Sequence, residues 1–534
     1  VGDEGLLRFT DNDQDNVADG PPELIMKLQT GGEHDSHAIR KGPDGYWYLI
    51  SGNYSKVNAT IISSNRSPIT QPSAGLITRW SPDFQSREVI ADGFRNAYDF
   101  DFDSRGDLYV YDSDGERDIS LPWYQPTRVF RVHPGGHAGW VTRNWKRPDE
   151  FIDVPTVAAR LGRGSPTGVA CYRHRQFPQT YQNAVFVLDW TFGRVIAISE
   201  SGKTGTQYQN ELFLQGKGTH GFAPTDVCVG RDGSLYVSVG GRSTAGSVYR
   251  IRFEENEKQE TDADRSLKTV SDCLDLPQPN SAWSRFQTES VAKKLGRSAF
   301  EKAIFDESLT QSHRLRAIEI ITSVLGGLSP DAASQIPTVK NVAIQTRLAW
   351  SICQEPVSKI ETKLLLHFVN HPAEQVQTAS FESLIGNQKL PIALAPSVDR
   401  ALRSKNRRLR QSAIFLVSSC KFQPSKHLKQ QSQDEQISLG EWIATLLRKP
   451  GHHSKALKTA LERLESSSDE SELLDILRFI QLSLGDVGPG KGIPSVFESY
   501  HPQGGGETGE FNSASIAKIH RLCLHSNDAI QKEA

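Results

Sequence analysis

GGEHDSHAIRKGPDGYWYLISGN, residues 31–53, decides how this chain folds, because it sets two histidines ahead of a tight turn and an alternating aromatic run. Gly42-Pro43-Asp44-Gly45 is a turn with a mechanism: proline presets φ, and Asp-Gly supplies residues that tolerate φ > 0. The run from Tyr46 to Ile50 is aromatic and β-rich, so the turn closes a hairpin. The same device recurs. Asp103-Ser104-Arg105-Gly106-Asp107 leads into Leu108-Tyr109-Val110, and Gly230-Arg231-Asp232-Gly233-Ser234 leads into Leu235-Tyr236-Val237. The first two turns lie about 60 residues apart and the third about twice that further on, with an unmarked hairpin, Asn183 to Ile198, between them. Hairpin repeats at this spacing, with Gly/Asp turns, predict the blades of a β-propeller lengthened by inserted loops.

A length of 534 residues allows two or more domains with substantial cores. The net charge of -2 gives no electrostatic footprint for nucleic acid or an anionic membrane surface. No run of apolar residues is long enough to span a bilayer as a helix. The sequence opens at Val1 without an initiator methionine or signal peptide, which reads as a mature product or a fragment. Its 6 cysteines are scattered and form no C-x-x-C pair, so the chain carries no zinc ribbon, thioredoxin motif or covalent haem attachment.

Near the start, Asp11, Asp13, Asp15 and Asp19 alternate along a short polar stretch. Oxygen ligands on a short turn are what a hard cation such as calcium requires, although the bidentate glutamate of an EF-hand is missing. The plain reading is a solvated acidic turn, and both readings stand. Further on, Phe94-Arg95-Asn96-Ala97 precedes an alternation of aromatic and acidic residues from Tyr98 to Asp103, which is strand-like. Arg95 is either a ligand-side cation or the partner of a loop carboxylate. The acids Asp112, Asp114, Glu116 and Asp118 and the run from Pro122 to Arg128 read as binding loops rather than core. Asp226 reads as a turn-ordering residue.

Composition changes at Glu254. Residues 254–283 read as a linker, charged as far as Lys268, and beyond it the period becomes helical. Ala317, Ala349, Ala379 and Ala413 each sit early in an amphipathic helix, 30 to 34 residues apart. A small residue recurring at that period, where helices touch, predicts stacked pairs of the HEAT type. The basic run from Arg403 to Arg410 reads as a solvated helix face. Gly485 to Gly492 only approximates a phosphate-binding loop, since Gly492 stands where the magnesium-binding hydroxyl belongs.

Glu33-His34-x-x-His37-Ala38, Pro122-Trp123-Tyr124-x-Pro126-Thr127-Arg128, Ser165-Pro166-Thr167-Gly168 and Asp189-Trp190-Thr191-x-Gly193-Arg194 together resemble the "membrane-bound dehydrogenase" or L-sorbosone dehydrogenase-like proteins of planctomycetes. More broadly, they resemble the soluble quinoprotein sugar dehydrogenases. The resemblance covers residues 1–253 by motif. It implies a six-bladed-type propeller over residues 1–253, with blades missing before Val1, then a linker over 254–283 and an all-α HEAT-like solenoid over 284–534. By it, His34 is the general base that takes a substrate hydroxyl proton during hydride transfer to pyrroloquinoline quinone. Arg95 steadies the quinone oxygens, Arg128 and Arg194 are candidates for its carboxylates, and Glu116 and Asp118 stand near its calcium. It implies a sugar or alcohol substrate, a cytochrome c-type acceptor and a periplasmic or extracellular location. The family's haem domain is absent from this sequence. His37 departs from the pattern, since two close histidines could bind a metal instead. The alternative function is a non-catalytic propeller and solenoid that binds a protein or polysaccharide.

Overall fold

The computed structural model describes residues 2, 4–13, 15, 17–121, 124–142, 146–201, 207–217, 221–241, 244–254, 267–354, 356–420, 422–428, 437–486 and 510–534. Pro122 and Trp123, Asn16 of the acidic loop, most of the charged linker and residues 487–492 lie outside them.

Among the described residues all strands precede all α-helices. β1 (Gly5–Arg8) pairs with β2 (Glu23–Lys27), so the acidic stretch is the loop of a hairpin. Three four-stranded antiparallel sheets follow. The first comprises β3 (Ser36–Lys41), β4 (Trp47–Ser51), β5 (Gly75–Trp80) and β6 (Arg87–Phe94). The second comprises β7 (Phe100–Phe102), β8 (Leu108–Asp112), β9 (Arg128–Val132) and β10 (Thr156–Arg160). The third comprises β11 (Pro166–Cys171), β12 (Val185–Asp189), β13 (Arg194–Ser201) and β14 (Gln207–Gln215). A three-stranded sheet of β15 (Pro224–Val229), β16 (Leu235–Gly241) and β17 (Thr244–Ile251) ends the β region. Within each sheet consecutive strands pair antiparallel, the up-and-down order of a propeller blade, though long segments join β4 to β5, β8 to β9 and β9 to β10.

Each sequence-predicted turn closes the first hairpin of its sheet. In the first, Gly42 N donates to Tyr46 O at 2.7 Å and Gly45 N to Gly42 O at 3.0 Å. Asp44 completes it by accepting from Tyr46 N and the Tyr48 hydroxyl, at 3.1 and 2.9 Å. The aromatic-acid alternation before β8 has a specific use. Asp99 accepts from Arg40 of β3 and from Val169 N of β11, at 2.9 Å each, and Asp101 accepts from Cys171 N at 2.8 Å. The acids of one face of β7 therefore lash neighbouring sheets together, while Phe100 and Phe102 are buried.

The chain divides into two compact units. The first takes in residues 1–114, 126–133 and 156–355, hence every strand together with the first six helices. These are α1 (Val270–Asp275), α2 (Ala282–Leu295), α3 (Arg297–Phe305), α4 (Gln311–Val324), α5 (Pro330–Gln335) and α6 (Val342–Ile352). Here the turn glycines meet helices. Gly45 has φ 84° and Gly106 φ 87°; a Cβ on Gly45 would stand 2.7 Å from Ser323 O of α4, and one on Gly106 2.3 Å from Arg347 Nη1 of α6. Glycine is required at both places twice over, for the left-handed backbone and for the close approach.

The second unit holds residues 115–125, 134–155 and 356–534. Its helices are α7 (Thr362–Val369), α8 (Glu374–Leu384), α9 (Ala395–Leu402), α10 (Arg407–Ser419), α11 (Pro424–Leu428), α12 (Leu439–Arg448), α13 (Ser454–Ser466), α14 (Glu470–Ser483), α15 (Ser513–Leu522) and α16 (Asp528–Glu533). Side-chain caps from Asn406, Ser438 and Asp469 start α10, α12 and α14. Ala379 and Ala413 are buried where their helices pack, as are Ala317 and Ala349 in the first unit.

The basic run from Arg403 to Arg410 is a solvated face only at Arg403 and Lys405, which are exposed; its other arginines, in the first turns of α10, are held. Arg407 donates to the Asp149, Glu150 and Phe151 carbonyls, Arg410 pairs with Asp475 at 2.9 Å, and Arg408 pairs with Glu382 at 3.4 Å. Gln411 adds bonds to Ile152 O and Val154 O at 2.8 and 2.7 Å. Buried carbonyls of the segment 149–154 would go unpaired without these donors.

Candidate functional site

His34, at the end of the loop before β3, is buried. Its Nδ1 lies 2.6 Å from Asn53 Oδ1, and its ring stacks on Tyr54 with centroids 4.7 Å apart. An amide oxygen only accepts, so Nδ1 is the donor of this bond. Tyr54 N donates to His34 O at 3.1 Å, and Asn53 N donates to Arg95 O at 2.8 Å. The histidine loop and the Arg95-Asn96 segment, far apart in sequence, are thus stitched through Asn53.

His37 belongs to the same constellation. Its Nε2 is 3.0 Å from Asn96 Oδ1, and its ring stacks on Tyr98 at 3.9 Å. Burial holds this imidazole below its usual pKa, against the opposing pull of the Asn96 hydrogen bond. Asp112 anchors the other side. Its two carboxylate oxygens accept from Arg95 N and Asn96 N, each at 2.9 Å, while the Arg95 guanidinium donates to Ser113 Oγ at 3.0 Å. Arg128 sits opposite Asp112 in the β8–β9 ladder, buried, with its guanidinium 4.8 Å from the Phe130 ring centre. Burial raises the Asp112 carboxyl; the backbone N–H of Arg95 and the charge of Arg128 oppose that.

Beside these residues opens a cavity of about 680 Å³. Ser36, His37, Arg40, Tyr98, Asp99, Gly168, Thr225 and Asp226 line it, so the first strands of all four later sheets or their flanks contribute. His34 does not line it; His37 does. Arg40 is spent on Asp99 through a bidentate pair, and burial together with Asp99 raises the Asp226 carboxyl. Asp226 does not order a turn: it lies within β15, paired with Ser238, and accepts from its neighbour Val227 N, 2.7 Å away.

The remaining candidates lie elsewhere. Arg194 is held by Asp189 and by the carbonyls of Leu161 and Arg163, at 3.4 and 3.1 Å. Asp118 is buried against Lys146 Nζ at 2.5 Å, and Glu116 is exposed on the same short turn. Both belong to the second unit. Asp11, Asp13 and Asp15 are brought together, each offering an oxygen within 4.8 Å of the others, all exposed. Asp19 instead accepts from Asn12 N at 2.5 Å. No other such group of three or more histidines, cysteines or carboxylates occurs among the described residues, so His34 and His37 lack a third ligand there.

Sequence reasoning placed His34, Arg95 and Asn96 together but missed the connecting residues. Asn53 ends the decisive stretch, and Asp112 ends a strand, yet neither spacing announces its partner. Tyr98 and Asp99 were visible only as strand alternation.

Residues 3–239 match a family described as a domain of unknown function (DUF7133). No curated protein matches the sequence. Among solved structures, the chain is similar to the PQQ-bound aldose sugar dehydrogenase of Streptomyces coelicolor, at 18% identity over 46% of this chain and 70% of that one, with a TM-score of 0.34. It is similar also to a glucose dehydrogenase, at 16% identity over 45% of this chain and 70% of that one, with a TM-score of 0.34. The similarity to these sugar dehydrogenases is distant.

Proposed function

We propose that the chain is the propeller and helical portion of a quinoprotein-like dehydrogenase that oxidises a sugar or alcohol hydroxyl and passes electrons to a cytochrome-type acceptor outside the cytoplasm. The observation that carries this reading is the His34–Asn53–Arg95 linkage, because it orients the histidine ring and ties its loop to the backbone of the Arg95-Asn96 segment. The donor set suits the quinone only on the side of Arg95 and Arg128. Arg95, partly exposed, would meet its oxygens, and Arg128 would add charge from beside Asp112. The cavity wall does not suit a tricarboxylate, since Asp99 and Asp226 face it and Arg40 is already neutralised. Arg194 is likewise committed to Asp189.

When bound, the quinone supplies the two-electron acceptor. His34 takes the substrate hydroxyl proton at Nε2 while Asn53 keeps Nδ1–H in place, so the imidazolium that forms keeps its partner. Arg95, its backbone pinned by Asp112, offers positive charge where negative charge develops. Calcium belongs, on this reading, to Asp11, Asp13 and Asp15.

Titrating the full chain with pyrroloquinoline quinone and calcium should change the cofactor absorption spectrum, and Arg95→Ala should weaken that change. In the loaded protein, His34→Ala should retain the spectral change and lower turnover roughly 10²- to 10⁴-fold. Unaltered turnover would remove His34 from the chemistry. The acid-lined cavity favours one rival, a non-catalytic module that takes a neutral polysaccharide; saccharide binding without any quinone response would establish it.

A further inference from the structure

The cavity of about 680 Å³ beside His37 has three charged side chains on its wall, Arg40, Asp99 and Asp226, all within the first unit. Arg40 turns Nε and Nη2 onto the two oxygens of Asp99, and Nη2 also reaches Val169 O at 3.2 Å. Asp226 is left differently. Among the described residues its carboxylate accepts from Val227 N alone, at 2.7 Å. The one cation it faces is Arg40, whose pull is weaker than the repulsion from Asp99. Arg40 faces Asp101 as well, so three carboxylates share that guanidinium. A carboxylate that feels a like charge more strongly than its counter-charge gains from a ligand that brings positive charge. Room beside it is kept by Gly168, where a Cβ would stand 2.8 Å from Asp226 Cα and 2.9 Å from Asp226 Oδ1.

The rest of the wall narrows the ligand. Tyr98, backed by the His37 ring at 3.9 Å, is 41% exposed, which leaves a ring face for apolar C–H groups or a cation. The threonine hydroxyl protons are spent: Thr30 Oγ1 donates to Gly2 O at 2.7 Å and Thr225 Oγ1 to Ser238 O at 3.2 Å, so both oxygens are left as acceptors. A bare metal ion does not fit the arrangement. Asp99, Asp226 and His37 do not converge as ligands, since Asp11, Asp13 and Asp15 form the only such group among the described residues. A donor-rich ring with an ammonium group meets the acceptors, the aromatic face and the free charge together.

We propose that this cavity takes an amino sugar, with its ammonium on Asp226 and its ring against Tyr98. The assignment rests on the proposed sugar-oxidising function and narrows the substrate to a sugar with a free amine.

Isothermal titration of the full chain without quinone, near pH 7 and at low salt, compares glucosamine with glucose and with N-acetylglucosamine, which keeps the ring and loses the charge. Glucosamine should bind roughly 10-fold more tightly than either, the gain of one charge-assisted contact, and added salt should shrink the difference. Asp226→Asn should abolish the preference. The comparison among the three sugars is made on the wild-type protein, so it does not depend on the variant folding. Equal affinities, no binding of glucosamine, or a preference that survives in folded Asp226→Asn overturns the proposal. Quinone titration, run separately, tests the dehydrogenase. A missing spectral response beside an intact glucosamine preference removes the oxidation and keeps the site, whereas a quinone response without that preference removes the amino-sugar site alone.

Discussion

Arg347 Nη1 donates a 2.6 Å hydrogen bond to the carbonyl of Arg105, 242 residues away. A helix residue thus grips the turn of the second sheet at its tip. Its guanidinium also lies 4.1 Å from the Trp350 ring centre, which fixes its orientation over Gly106. The first helices are therefore fastened to the strands by the same Gly/Asp turns that mark the blades in the sequence.

Gly106→Ala should reveal this grip. The φ of 87° strains any Cβ, and the new methyl would meet Arg347 Nη1 at 2.3 Å and Trp350 at 3.2 Å. Gly162, at φ 75° with nothing within 4 Å of its Cβ, controls for the backbone term alone. Urea denaturation should give a loss of roughly 2–4 kcal/mol for Gly106→Ala against about 1 kcal/mol for Gly162→Ala. Equal losses would mean that Arg347 swings aside freely.

The turns and the helical alanines were legible because both are local: a turn needs its own four residues, and a packed helix needs its own period. What Gly106 touches was not, because Arg347 reads as one more helix arginine. The run from Arg403 to Arg410, exposed at Arg403 and Lys405, was only partly legible for the same reason. Its charge suggested solvent, but its acceptors are carbonyls 149–151 and the carboxylates Glu382 and Asp475, none of which a local pattern can supply. In the site, His34 and Arg95 could be paired by resemblance, whereas Asn53 and Asp112 join them through side-chain oxygens and backbone N–H groups far apart in sequence, which no local spacing announces.

The His34 tautomer can be read directly. With Asn53 Oδ1 at 2.6 Å, nitrogen-15 shifts should report a protonated Nδ1 and an unprotonated Nε2 at pH above the imidazole range. Asn53→Ala should move the population toward the Nε2–H form and lower turnover of the quinone-loaded protein, with far-UV circular dichroism unchanged. A wild-type ring already protonated at Nε2 would rule out the base assignment.

Calcium should act at the β1–β2 loop. Asp11, Asp13 and Asp15 converge, while Asp118 is held by Lys146 at 2.5 Å and would have to abandon a buried partner to serve a metal. Calcium should raise the melting temperature, and Asp13→Asn with Asp15→Asn should abolish the rise. Asp118→Asn should lower stability by roughly 3–5 kcal/mol yet keep the calcium response. Loss of that response in Asp118→Asn alone would place the ion at the Glu116–Asp118 turn.

Glu319 should govern the acid stability of the first unit. Burial pushes its carboxyl up, but Arg173 and Arg316 outweigh burial and hold it down to about 2, against an ordinary 4.5. A depressed folded-state pKa gives stability that is complete above about 4.5 and is lost as pH falls toward 2, worth about 3 kcal/mol in all. Glu319→Gln removes that charge at every pH and strands three buried guanidiniums, so the variant should unfold at markedly lower urea near pH 6. As pH falls from 5 to 2, the wild-type midpoint should drop toward that of the variant, because protonated Glu319 no longer opposes the arginines. Unfolding midpoints followed by Trp fluorescence in both proteins across that range measure the convergence. A gap that stays constant down to pH 2 would mean that the stability Glu319 gives does not come from its charge.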